Sequence, residues 1–418
     1  MSEQNMKAKW YGPKQIGMII FTGVLMLLSA CFVGGQTNTV LPYLAEFRGW
    51  SEDTLRIISS IACILDGVGI LFWAKLSRKN PKLLAGIALV VMAICLVIFG
   101  FTTNFILLAV VMLIMGLSSA AFSSTCAMTL TANWWPTKKG VVLGFSTMGI
   151  VLMTVVYAPI MPTVYAMIGI QKTQLILAVI TIVVAIVSFV GIKNTPEEAG
   201  TTPDGLVGLD LSNAKEITKA LSEYKSPFTF KQIVTNPNNW LVSLAVGLPL
   251  MVAMTFISSV IPALLSYGYA FPQASAIMAA GGIIALVGSA ALGALDTKMG
   301  TRKTVWIFIV FVLVAVVVAI FMPKGIAFAW VAGMILFCAN GGARNLLPSY
   351  VATIYGRWDY PAAYQVMGTV FLVLCGLGVM VPALFPTYNA MFIFDAVICV
   401  IALILSIVAK DKFIGKPN

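Results

Sequence analysis

The chain has 418 residues, 60% of them hydrophobic and only 10% charged, with a mean hydropathy of +0.98. Soluble domains carry roughly a quarter of charged residues, so the composition excludes one and indicates a polytopic membrane protein. The formal net charge of +11 then reads as loop topology and attraction to anionic lipid head groups, and no nucleic-acid partner is expected.

A helix needs about 20 apolar residues to cross the hydrocarbon. Twelve such spans fit, at about 15–42, 54–75, 82–101, 105–132, 140–165, 173–192, 240–266, 274–295, 304–322, 326–353, 363–385 and 389–409. The expected fold class is an all-α membrane protein. Of the 26 basic residues, 21 fall on the side shared by both termini, Arg48, Arg56, Lys172 and Lys324 on the other, and Arg344 inside a span. The positive-inside rule then puts both termini in the cytoplasm and the protein in the cytoplasmic membrane. Met1 to Lys14 is polar and basic and does not read as a cleavable signal. The seven cysteines lie within apolar spans without a Cys-x-x-Cys pair, and the chain has no histidine. They read as small core residues, and no disulfide, metal site or cofactor is expected.

Span 1 ends in Gly34 to Pro42, where Gln36, Thr37 and Asn38 are either cavity liners or a frayed helix end at the interface. Span 2 carries Asp66 near mid-membrane. It is a candidate for proton relay, for pairing with Arg344, or for a helix-packing hydrogen bond beside Gly67 and Gly69. Span 4 contains a small-residue run from Gly116 to Thr125, including Ser123, Ser124 and Thr125, that permits close helix approach or lines a cavity. Span 5 carries Pro159 and Pro162 and is expected to kink.

Residues 193–239 form the one long hydrophilic stretch and read as a cytoplasmic linker between residues 1–192 and 240–418. Within it, Ser212 to Tyr224 has the spacing of a short surface helix. Span 7 ends Ser258-Ser259-Val260-Ile261-Pro262, repeating Asn38-Thr39-Val40-Leu41-Pro42 at an offset of 220. At an offset of 219, Met148-Gly149 matches Met367-Gly368. Two related six-helix halves are expected. Parallel repeats of this kind, with a site near the midplane, mark one large class of transporters.

Span 10 contains Phe337 to Tyr350, in which Arg344 sits between Asn340 and Asn345 in an otherwise apolar, glycine-rich segment. An arginine at the bilayer centre costs on the order of 2.5–3.5 kcal/mol, so it must face protein, water or an anion. Gly341 and Gly342 are expected to leave room for that partner. Asp66 and Asp395 are the intramembrane carboxylates available for a structural pair or for proton coupling. Tyr267, Tyr350 and Tyr364 offer ring area and phenol donors, or serve as interface and core aromatics.

With these halves, termini and loop, the chain resembles the major facilitator superfamily over essentially its whole length. The sharpest motif is Gly293-Ala294-Leu295-Asp296-Thr297-Lys298-Met299-Gly300-Thr301-Arg302-Lys303, which is similar to that family's signature loop with the acidic residue one place early. The resemblance implies that Gly293, Asp296, Lys298, Gly300, Arg302 and Lys303 belong to a cytoplasmic gate working through charge pairs and helix dipoles. The counterpart at Leu71 to Lys82 lacks the acid and second glycine and is expected to contribute less.

Pro196-Glu197-Glu198-Ala199-Gly200, Asn133-Trp134-Trp135-Pro136 and Tyr355-Gly356-Arg357 resemble the oxalate:formate antiporter and monocarboxylate porter branch. In the superfamily helices 1, 4, 7 and 10 line the central cavity, which implies that Arg344 borders the substrate path. There its planar fork suits a carboxylate. The repeat offset sets Thr125, beside Ser123 and Ser124, opposite it. Oxalate exchangers of that branch hold a dianion with cations on helices 8 and 11. Spans 8 and 11 have none here, so a small monocarboxylate is the expected solute, moved by exchange or with a proton. The expected form is a monomer in the lipid bilayer. A drug or cation exporter on the same fold would want an acidic cavity group. A transport-inactive sensor would bind solute without exchanging it. A membrane enzyme is disfavoured by the lack of histidine, metal-ligand cluster, phosphate loop or extramembrane domain.

Overall fold

The computed structural model describes residues 11–34, 36–136, 138–205 and 223–415, and all regular structure among them is helical. In the first half these are α1 (Pro13–Ser29), α2 (Gln36–Arg48), α3 (Glu52–Lys79), α4 (Pro81–Phe101), α5 (Phe105–Ser119), α6 (Met128–Trp134), α7 (Lys139–Leu152) and α8 (Ala158–Val190). The second half has α9 (Phe230–Thr235), α10 (Pro237–Ser266), α11 (Phe271–Met299), α12 (Thr301–Ala319), α13 (Ile326–Met380) and α14 (Tyr388–Val408). Widened π-helical turns follow α1, α5 and α7 at Ala30–Gly34, Ala120–Ala127 and Met153–Tyr157.

Local chemistry sets the helix starts. Asn80, Asn104 and Asn236 cap α4, α5 and α10 by accepting from a backbone N–H in the first turn, and proline follows directly at Pro81 and Pro237. Among the described residues, ten helices are long and apolar enough to cross a membrane. The helix α13 has 55 residues, and running straight it would reach about 80 Å, far beyond a hydrocarbon core of about 30 Å. It is broken at Gly356, where φ is 64°, and α8 is broken at Gly169, where φ is 78°. Both are left-handed conformations that glycine adopts without steric cost. The loops expected between spans 5 and 6 and between spans 10 and 11 are thus replaced by single-glycine breaks.

The same helix pairs recur in the two halves. In the first, α1 packs on α7, α3 on α5 and α4 on α8; in the second, α10 packs on the latter arm of α13, α11 on its earlier arm and α12 on α14. The close approaches are made at glycine. A Cβ on Gly149 would meet the Gly23 carbonyl, one on Gly116 the Ala62 carbonyl, and one on Gly378 the Met251 carbonyl. Gly341 faces the Ala285 carbonyl, Gly342 faces Leu292, and Gly288 faces the Cys338 carbonyl. The glycines beside Arg344 therefore admit the backbone of α11, and the expectation that they hold space for a ligand is corrected.

The first and last described helices, α1 and α14, have the start of one and the end of the other on one side of the bundle. Lys14 donates to the Ala199 carbonyl at 2.6 Å, and Asn238 and Lys410 exchange hydrogen bonds at 2.9 and 2.7 Å. This terminus side also carries the basic turn at Arg78–Lys82 and the Gly300 turn. The far ends are tied within each half, as by Arg48 to the Gly100 carbonyl and Tyr267 to Asn389. Ser212 to Ser222, most of the expected surface helix, lies outside the described residues.

Candidate functional site

Arg344 lies twelve residues from Gly356, roughly 18 Å along the helix, which sets it near mid-bundle. It is half-buried, and its single described hydrogen bond runs from Nη2 to Cys375 Sγ at 3.4 Å. A thiol is a weak acceptor for a guanidinium. No carboxylate among the described residues lies within 4 Å of it. One turn earlier on the same face, Asn340 has its Oδ1 buried without a partner.

Across the interface from the first half stands Asp66 on α3. Its Oδ2 accepts from Ser124 Oγ at 3.3 Å and it is also hydrogen-bonded by Ser119, while Oδ1 is buried without a partner. Ser119 in turn shares a 2.6 Å hydrogen bond with Ser29. Ser124 belongs to the widened turn Ala120–Ala127, where the helical repeat loosens and the side chains are re-aimed. Arg344 and Asp66 act on each other electrostatically, and both act on Tyr364, which stacks on Tyr360 at 5.1 Å. A set of residues from α3, the α5–α6 turn and both arms of α13 thus meets at one point between the halves.

The remaining candidates are distributed more widely. Ser123 donates to Met26 Sδ at 3.3 Å, and Thr125 has its hydroxyl buried without a partner. Tyr267 sits at the far end of α10, donating to Asn389 at 2.8 Å. Tyr350 is buried on the terminus side of Arg344, in the electrostatic reach of Arg302 and Asp411. Asp395 is fully buried in α14 with both oxygens unpartnered. The side chains of Gln36 and Asn38 lie outside the described residues.

Asn345, the neighbour of Arg344, points the other way. Its Nδ2 donates to the Ser289 carbonyl at 2.9 Å, and its Oδ1 accepts from Thr147 of the first half. Thr147 also meets Ser289 Oγ at 3.0 Å, and Ser289 Oγ donates to the Gly144 carbonyl at 2.6 Å. All three polar side chains are buried. Asn345 is therefore part of a neutral clamp between the halves, on the terminus side of Arg344. Thr147 and Ser289 carry no signal in the sequence beyond polarity on an apolar span.

The Gly293–Lys303 loop is bonded both within its own half and to the first half. Asp296 accepts from Ser349, and Arg302 donates to the Ile407 carbonyl at 2.9 Å and stands 3.7 Å from Asp411. Lys298 and Lys303 are exposed, and Gly300 turns the chain with φ 84°. Thr297 of this loop reaches the first half, where its hydroxyl accepts from the Val141 N–H at the start of α7 at 3.1 Å. Gly293 backs onto Gly144.

A buried ion pair joins the stretch after α8 to the second half. Arg357 gives two parallel hydrogen bonds to Glu197, at 2.9 and 3.0 Å, with the side chains only 7% and 4% exposed. Residues 193–205 lie folded across the first half. Trp134 donates to the Lys193 carbonyl, Lys82 N–H to Asn194, Gln15 to Thr201 and Lys138 N–H to Asp204. Tyr224 donates to Asp359 at 3.1 Å, and burial together with that carboxylate pushes its phenol up to about 12. Both segments of the pair stood out in the sequence, but nothing there joined them.

A family model, the Major Facilitator Superfamily, matches residues 21–381. The chain is also 26% identical, over 229 residues, to the phosphoglycerate transporter protein of Salmonella typhimurium strain LT2; the match covers 52% of this chain and 49% of that protein. The chain thus spans about half the length of the curated relative it matches.

Proposed function

The chain belongs to the major facilitator superfamily, and from that premise we propose that it is a secondary transporter of a small organic anion, most readily a monocarboxylate, held by Arg344. The observation that carries the reading is a mid-bundle guanidinium between the halves that has only a thiol as a hydrogen-bond acceptor among the described residues. An anion would supply the charge-assisted pair that Arg344 lacks. The resemblance to the oxalate:formate and monocarboxylate branch supports a carboxylate. Phosphoglycerate, the solute in the relative's name, also carries one. In this reading the chain crosses the cytoplasmic membrane twelve times, with residues 1–192 and 240–418 as halves and both termini cytoplasmic. The hydrogen bonds described between the halves lie from mid-bundle to the terminus side; with the termini read as cytoplasmic, this conformation is read as closed toward the cytoplasm. Alternating access exchanges that closure for one at the opposite side. Coupling is by exchange or with a proton, for which Asp66 and Asp395 are the available carboxylates.

The test is counterflow of labelled formate, acetate, pyruvate, lactate and 3-phosphoglycerate in proteoliposomes. Wild type is expected to exchange at least one monocarboxylate, Arg344→Gln to weaken it by about 100-fold, and Arg344→Lys to retain part of it. Unchanged affinity in both variants would falsify the role of Arg344. Exchange of 3-phosphoglycerate alone would replace the monocarboxylate by a phosphorylated anion.

A further inference from the structure

The centre of the bundle offers more than a cation. Asp66 has one oxygen engaged by the Ser124 hydroxyl, with Ser119 also bonded to the carboxylate, and the other oxygen buried without a partner. Ser29 and Ser119 share a hydrogen bond beside the carboxylate, and Oδ1 is left without a partner. Asn340, on the face of Arg344, adds a second acceptor oxygen buried without a partner. Arg344 thus presents donors, while Asp66 Oδ1 and Asn340 Oδ1 are acceptors with no hydrogen-bond partner among the described residues.

A simple carboxylate consists of acceptors. It would satisfy Arg344, leave both acceptor oxygens unmatched, and bring a second negative charge beside Asp66. An acid that also carries a hydroxyl or ammonium group would answer both the donors and the acceptors. We propose that the transported anion bears a hydrogen-bond donor recognised by Asp66, which makes it a small hydroxy acid or amino acid rather than a simple alkyl carboxylate. This rests on the reading of Arg344 as the anion-binding group. Asp66 is then the residue that sets specificity, because a buried acceptor left without its donor penalises the ligand that lacks one.

The experiment is direct binding to the purified full chain, by titration calorimetry or thermal shift. Probes matched in carbon skeleton are compared in pairs: lactate with propionate, 3-hydroxybutyrate with butyrate, and alanine with propionate. Wild type is expected to bind the donor-bearing member of at least one pair about tenfold or more tightly than its mate. Asp66→Leu, which removes the acceptor at similar volume, should bring the two members of that pair to within about threefold. Equal affinity for both members in wild type, lost for both in Arg344→Gln, overturns this inference and leaves the anion site standing. Equal affinity that persists in Arg344→Gln overturns both. Binding of no donor-bearing probe overturns the inference as well. If Asp66→Leu does not fold, the wild-type pairs decide alone.

Discussion

Two arginines of α13 lie between the halves, and the chain treats them in opposite ways. Arg357 meets a carboxylate with two parallel hydrogen bonds in a nearly closed environment. Arg344, on the earlier arm of the same helix, is left with a sulphur. The neutral groups divide along the same line. Asn345, Thr147 and Ser289 are mutually bonded on the terminus side, whereas Asp66 and Asn340 near Arg344 each keep a buried oxygen free. A contact that must hold one conformation is expected to be satisfied internally; a contact that must hold a solute is expected to be incomplete until the solute arrives.

The comparison is broken most forcefully at Glu197 and Arg357. Removing one partner of a buried pair leaves an uncompensated charge, so Glu197→Gln and Arg357→Met should each cost about 3–5 kcal/mol. The double variant should recover much of that loss, since neither charge is then stranded. Thermal midpoints and tryptic cleavage at Lys193 check this, and a double variant as poor as the sum of the singles would show the pair to be uncoupled.

The neutral clamp comes next. Asn345→Ala and Thr147→Val should each cost about 1–3 kcal/mol, because each strands a buried partner. Their combination should cost less than the sum. Strict additivity in melting would mean that the two side chains do not share a network.

A smaller effect is expected from Tyr224→Phe, about 0.5–1.5 kcal/mol for a hydrogen bond to Asp359. The folded phenol titrates at about 12, above its ordinary value of 10. Its contribution is therefore full below pH 10 and lost as pH rises toward 12. The melting difference between wild type and Tyr224→Phe should be the same at about pH 6 and pH 9; a difference that vanished by pH 9 would overturn the hydrogen-bond assignment.

The helical membrane fold was legible because the bilayer imposes long apolar runs that a single sequence cannot disguise. Helix junctions were less so. Gly169 and Gly356 each end a span without any polar loop, and a glycine in an apolar run looks the same whether it packs or turns. The candidate site was legible at its charges, though only as a candidate. Arg344 and Asp66 declared themselves by the cost of burying them, and Tyr364 joined them as a nearby aromatic. The partners of Asn345 were not legible, because which of two adjacent polar residues faces a neighbour depends on helix rotation, which packing at Gly341 and Gly288 decides. The same packing explains why glycines beside Arg344 gave a misleading sign of open space.

The smallest expected change in stability is the one that most sharpens the contrast. Arg344→Gln removes a charge whose described hydrogen bond ends on a thiol, so it strands no donor and forfeits little internal bonding. Its attraction to Asp66 acts beyond contact distance and is the main term lost. The thermal midpoint of ligand-free protein should therefore stay within the shift expected for about 1 kcal/mol. Arg357→Met, on the same helix, should fall several times further. Binding should show the reverse order, with anion affinity lost in Arg344→Gln and retained in whatever Arg357→Met protein folds. If Arg344→Gln instead melts as low as Arg357→Met, the mid-bundle arginine is structural, and the anion site must be sought elsewhere between the halves.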